Sequence, residues 1–150
     1  MSDLRELYQE VILDHYRNPR NFRRIEGDHC RSAQGHNPLC GDEVEVLVEI
    51  VDGKITNAAF QGSGCAISLA SASLMTDALK GKGEDEIPEL FESFQGMVMG
   101  KGGDDPAETL GKLAVFEGVR EFPTRVKCAV LAWHTLNAAL AESGDKITTE

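Results

Sequence analysis

Cys40-Gly41-Asp42 puts a thiol and a carboxylate two residues apart, just ahead of a run from Glu43 to Val51 that alternates like a β-strand. In an extended chain, residues i and i+2 project from one face, roughly 6.6 Å apart at about 3.3 Å per residue. Tetrahedral zinc, with bonds of about 2.0–2.3 Å, asks for donor atoms roughly 3.5 Å apart, a separation that two side chains leaning inward can reach. Gly41 carries no Cβ and leaves the backbone between them free to bend. Cys65 and Cys128 complete a set of three thiolates and one carboxylate if the fold brings them to this pair. Such a set suits zinc, ferrous iron or an iron–sulfur centre, because thiolate is the soft ligand these prefer; Asp42 is the weakest ligand and the first to yield. A free cysteine is by default an inert core thiol. The Cys-Gly-Asp and Gly-Ser-Gly-Cys contexts take Cys40 and Cys65 out of that default, Cys128 moves less, and Cys30 stays structural. Among the histidines, only His36, four residues before Cys40, is a candidate ligand or base. A Cys–His nucleophile pair is the alternative enzyme reading, but no oxyanion elbow or third group accompanies it.

Several elements must position these residues. Val44, Val46, Val48 and Ile50 mark the buried face of the strand after Asp42, and Asp52-Gly53 is a two-residue type I′ turn into a return strand, Lys54 to Gln61. That register sets Ile50 against Ile55 and Val46 against Ala59, leaves Asn57 awkwardly opposite Val48, and puts Gln61 at the Cys40 end. Residues 28–36 give a weak signal for one more short strand. Gly62-Ser63-Gly64-Cys65 turns out of the hairpin into a helix of small residues over 66–80, with Ile67, Ala70 and Leu74 buried and Cys65 at its N-terminus. Unpaired N–H groups and the helix dipole there stabilise a thiolate. An amphipathic helix over 3–17 buries Leu4, Leu7, Tyr8, Val11, Ile12 and His15 and ends at Asn18-Pro19. A second runs from Ile87 to Val98, followed by a flexible connector from Gly100 to Pro106 and short helices over 107–119. The last helix opens at Phe122-Pro123. Cys128 falls within its first two turns, and Arg125, three residues earlier, lies on nearly the same side, where a guanidinium would hold a thiolate or an incoming anionic sulfur.

At 150 residues with 41% hydrophobic content, one domain with a sizeable core is expected. The net charge of −10 disfavours nucleic acid and anionic membrane as partners. The N-terminus lacks a signal-peptide pattern and no stretch has the length of a membrane span, so the cytoplasm is the expected compartment, where the four cysteines are thiols or ligands rather than disulfides. Arg17, Arg20, Arg23 and Arg24 cluster in this acidic chain. A solvated loop is expected there, with a docking patch for an acidic partner as the alternative.

Four segments together resemble the U-type iron–sulfur cluster assembly proteins (the IscU/NifU N-terminal-like family), and within it the SufU branch. They are Leu7 to Asn21 (LYQEVILDHYRNPRN), Asn37-Pro38-Leu39-Cys40-Gly41-Asp42, Gly62 to Ser68 (GSGCAIS), and Phe122 to Ala129 (FPTRVKCA). The resemblance implies a single α+β domain spanning residues 1–150: a small antiparallel sheet of about three strands with helices packed against it, SufE/IscU-like, with a branch-specific insert over about 94–120. It implies a zinc site of Cys40, Asp42, Cys65 and Cys128 and a pyridoxal-phosphate-dependent, SufS-like cysteine desulfurase as partner, with downstream assembly proteins or apo-acceptors. The expected function is a zinc-dependent sulfurtransferase rather than a stand-alone enzyme: Cys40 takes persulfide sulfur from the desulfurase, assisted by Arg125. The alternatives are a scaffold holding a transient [2Fe–2S] cluster or iron on Cys40, Cys65 and Cys128, and a purely structural zinc protein. The scaffold branch has a histidine immediately before the third cysteine. Here that residue is Lys127.

Overall fold

The computed structural model describes residues 2–38, 40–101, 110–141 and 147–148. Helix α1 (Ser2–Arg17) leads into strands β1 (Cys30–Asn37), β2 (Asp42–Val51) and β3 (Lys54–Ser63), then α2 (Ala66–Leu79), α3 (Ile87–Val98), a 3-10 segment (Gly111–Glu121), α4 (Pro123–Ala141) and a two-residue strand β4 (Ile147–Thr148). The sheet order is β3-β2-β1-β4. The first three strands are antiparallel, as the sequence predicts; β4 adds a short parallel edge on β1 that carries no signal of its own. Of the expected connector over 100–106 and short helices over 107–119, residues 102–109 lie outside the described residues.

The predicted hairpin forms, with one correction. Ile50 pairs with Ile55, but Val46 pairs with Phe60 and Asn57 with Glu49, because the register shifts between Glu49 and Ile50. Thr56 is the extra residue of this β-bulge. Its hydroxyl donates to Glu49 Oε1 at 2.6 Å, and the one-residue slip removes Asn57 from the apolar face. The turn is left-handed at both centres, Asp52 at φ 52° and Gly53 at φ 77°, as type I′ requires.

Helices α2 and α4 cover one face of the sheet. Gly35 on β1 lets α4 approach: a Cβ there would fall onto Thr135 Oγ1 and within 3.1 Å of Leu131 Cδ1. The two helices are joined where the buried Ser71 hydroxyl donates to Ala129 O at 2.6 Å. Between α3, the 3-10 segment and α4, Phe94 stacks on the fully buried Trp133 at 4.6 Å and meets Phe116 edge-on at 5.9 Å. This core draws on β2, β3 and every helix, so the fold has apolar cohesion independent of any metal.

Helix α1 is less enclosed than its pattern predicts. Tyr8, Val11 and Ile12 pack on the core, whereas Leu7, Leu13 and Tyr16 are exposed. Its firm attachment is the buried His15, whose Nδ1 lies 2.7 Å from Ser73 Oγ on α2. The arginine segment that follows is tied to the body: Arg20 pairs with Asp14, Arg24 with Glu45, and Arg23 donates to Asn57. Among the described residues, no helix is long and apolar enough to cross a membrane.

Candidate metal centre

The β1–β2 connection, the entry to α2 and the second turn of α4 converge at one end of the sheet. The β1 and β2 strands meet at Asn37 and Asp42, so Cys40 stands on the intervening loop. That loop is closed by the Asn37 carbonyl, which accepts from Gly41 N at 2.9 Å and from Cys40 N at 3.3 Å. Gly41 turns it at φ 73°, a left-handed conformation glycine adopts without strain.

Asp42 opens β2 and is fully buried. Its Oδ1 accepts the backbone N–H of Cys65 at 2.8 Å, and its Oδ2 lies 3.8 Å from Cys65 Sγ. Gly64 makes this approach possible. At φ 151°, a Cβ on it would stand 2.9 Å from Asp42 Cα. Cys65 is the N-cap of α2, and its sulfur accepts Ser68 N–H at 3.4 Å, the predicted use of a helix N-terminus. Cys128 projects from α4 with its Sγ 3.4 Å from Cys40 Sγ. Donor atoms of Cys40, Asp42 and Cys128 all lie within 4.8 Å of one another, and Cys65 joins them through Asp42. The structure thus groups Cys40, Asp42 and Cys128 as a candidate metal set, with Cys65 beside Asp42.

The three sulfurs are unequal. Cys128 is 2% exposed, Cys65 is half-buried and Cys40 is exposed. The thiol hydrogen bond from Cys128 holds Cys65 down to about 7, against the cost of burial and with help from Ser68 N–H. Cys128 shifts upward for the reciprocal reason, since it donates to Cys65 and is buried besides.

An open cleft of about 860 Å³ runs up to the three cysteines, walled by α1 through Tyr8, Ile12 and Leu13 and by the 3-10 segment through Val115 and Val119. Arg125 also lines it, its guanidinium 4.4 Å from the centroid of the Phe122 ring. Cys30 lies at the far end of β1, roughly 23 Å from Asn37 at about 3.3 Å per residue. Burial pushes its thiol up, as suits a structural residue. His36 alternates onto the face of β1 opposite Asn37, and its backbone pairs with Glu43. Asn37 carries no ligand signal in the sequence, yet it reaches the site. Its side chain is wholly buried and Nδ2 donates to Cys128 Sγ at 3.7 Å.

A sheet-and-helix domain with three thiols and a carboxylate gathered at the mouth of a hairpin defines a thiolate metal-binding class. The family model of the NifU-like N-terminal domain matches residues 7–129, and the chain belongs to that family. It is similar to the iron–sulfur cluster assembly scaffold protein IscU of Streptococcus pyogenes serotype M1, 39% identical over 146 residues, 97% of this chain and 89% of that one. It is equally similar to the zinc-dependent sulfurtransferase SufU of Bacillus subtilis strain 168, 39% identical over 141 residues and 94% of each chain. The crystal structure of a putative SUF-system scaffold protein from Fervidobacterium islandicum AW-1 superposes with a TM-score of 0.80 at 37% identity, covering 87% of this chain and 94% of that one.

Proposed function

We propose that this protein serves iron–sulfur cluster biogenesis as a zinc-bound sulfur acceptor, with Cys40, Asp42, Cys65 and Cys128 as the zinc ligands. The donor set supports the metal. The Cys40 and Cys128 sulfurs lie 3.4 Å apart and Cys65 Sγ lies 3.8 Å from Asp42 Oδ2, close to the roughly 3.5 Å edge that tetrahedral zinc asks for. Zinc, when bound, keeps the coordinating thiols deprotonated at neutral pH. The name of the Bacillus subtilis relative supports the same metal and the same transfer chemistry.

The observation that carries the acceptor reading is the ranking of exposure within one cluster: Cys40 is the exposed sulfur, on a loop, while Cys128 is locked in a helix. The donor is the persulfide of a pyridoxal-phosphate-dependent cysteine desulfurase that docks over the cleft. The Cys40 thiolate attacks the outer sulfur. A new S–S bond forms at Cys40, the donor's S–S bond breaks, and the donor cysteine leaves as a thiolate, so nothing is oxidised or reduced overall. Arg125, on the same cleft, is suited to stabilise the anionic sulfur. The accepted sulfur then passes to downstream assembly proteins.

Desulfurase turnover measured with wild type and with Cys40→Ala tests the reading. The wild type is expected to stimulate turnover and the variant to abolish the stimulation; stimulation that survives the substitution rejects Cys40 as acceptor. The scaffold reading draws on the name of the Streptococcus pyogenes relative and on the same four donors, with a [2Fe–2S] cluster as cargo. Anaerobic reconstitution with iron and sulfide, followed by transfer to an apo-protein, distinguishes it.

A further inference from the structure

Cys40 and Cys128 touch, Sγ to Sγ at 3.4 Å. A sulfur accepted on one of two touching thiols can pass to the other by the same exchange that delivered it. Transfer onward to a partner requires the sulfur to stay on the exposed residue, so the buried one must be held out of the exchange.

Asn37 is placed to do this. It ends β1, its side chain is 0% exposed, and it reaches both sulfur-bearing elements. Its backbone carbonyl accepts from the N–H groups of Cys40 and Gly41, at 3.3 and 2.9 Å. Its side-chain Nδ2 donates to Cys128 Sγ at 3.7 Å. The two attachments differ in how they respond to motion. The carbonyl bonds close the turn that carries Cys40, and they would have to break for Cys40 to move out. The amide bond holds a buried sulfur on α4, a helix packed on the sheet. A donated N–H bond also stabilises the thiolate it meets, and a better stabilised thiolate is a weaker nucleophile. Cys65, the other inner sulfur, has an equivalent donor in Ser68 N–H at 3.4 Å.

We propose that Asn37 is a positioning residue that divides the parts between the two touching sulfurs: it pins Cys128 as a resident ligand, so that Cys40 alone leaves and carries the accepted sulfur. This rests on the acceptor reading above.

The test uses the full-length, zinc-loaded protein exposed to inorganic polysulfide as the sulfur donor, then alkylated and digested, with the extra sulfur located on the Cys40 and Cys128 peptides by mass spectrometry. In wild type the sulfur is expected on Cys40. In Asn37→Leu, which keeps the bulk and removes the donor, the share on Cys128 is expected to rise roughly tenfold. Sulfur confined to Cys40 in both proteins overturns the part given to Asn37 and leaves the acceptor reading standing. Sulfur absent from Cys40 in wild type takes down both. A measurement on unaltered protein stands beside it in case the variant does not fold. With cadmium-113 alone as the bound metal, scalar coupling from cadmium through Cys128 Sγ to the Asn37 side-chain amide protons is expected. Coupling present at Ser68 N–H through Cys65 Sγ but missing at Asn37 overturns the proposal.

Discussion

At the scale of single residues, the site depends on a backbone contact that no other residue can supply. Gly64 sits at φ 151°, and a Cβ there would lie 2.9 Å from Asp42 Cα and collide with the carboxylate. Asp42 is fully buried and holds Cys65 N–H at 2.8 Å, so it has no room to retreat. Gly64→Ala is therefore expected to cost about 1–3 kcal/mol of stability through strain. It is also expected to weaken metal retention, because the displaced group is a proposed ligand. Urea unfolding, together with zinc loss to a chromogenic chelator, measures both. Unchanged zinc retention in the folded variant would show that Asp42 is not needed at the metal. The substitution at Ser63, one residue earlier and exposed, serves as the neutral comparison.

At the scale of elements, the pieces that carry the cysteines were legible in the sequence to different degrees, for physical reasons. Helix α3 matches its predicted span because Ile87, Leu90, Phe91, Phe94 and Val98 repeat at helical spacing and Pro88 marks the first turn. The N-cap at Cys65 was legible because two glycines precede it. The bulge at Thr56 was not, since one extra residue in a strand leaves no mark on a period of two. Nor was the inward turn of Asn37, because a buried amide belongs to no periodic pattern. Two element-level predictions follow from packing. Gly35→Ala would drive a methyl against Thr135 and Leu131 and push α4, which bears Cys128, off β1; overpacking of this kind costs about 1–3 kcal/mol, readable as a lowered urea midpoint. Helix α1 hangs on His15, whose ring is lowered from 6.5 chiefly by burial and also by the charge of Arg20, partly offset by Asp14 and Asp77. The folded state keeps this ring neutral while the unfolded chain takes up a proton near 6.5, so the unfolded state binds more protons as the pH falls and stability drops with it. His134 on α4 acts in the same sense, again through burial. The urea midpoint is expected to decline from about pH 7.5 to about pH 5, with a shallower slope in His15→Gln. An unchanged slope would remove His15 from the account.

At the scale of the molecule, the question is whether the metal holds the fold or the fold holds the metal. In a small zinc module, binding free energy of on the order of 10 kcal/mol is the folding free energy, and chelation unfolds the chain. Here the apolar core runs from β2 and β3 through α2, α3 and α4 to the 3-10 segment, and Trp133 at its centre is 0% exposed and stacked on Phe94. The four candidate ligands lie outside that cluster, at the ends of elements that the core already aligns. Removing zinc with a chelator is therefore expected to loosen the end of the domain and spare its middle. Hydrogen exchange should quicken at the Asn37–Glu43 turn, at Gly64–Ser68 and in the first turns of α4. The central residues of β2 and β3 and the fluorescence of Trp133 should stay as they were. This pattern matters for function, because a loop that loosens when the metal leaves, with only the Asn37 carbonyl bonds to close it, is one that can open when a partner takes hold of Cys40. Global unfolding on chelation, with Trp133 exposed along with everything else, would instead make the metal a structural staple and remove the reason to expect Cys40 to leave it.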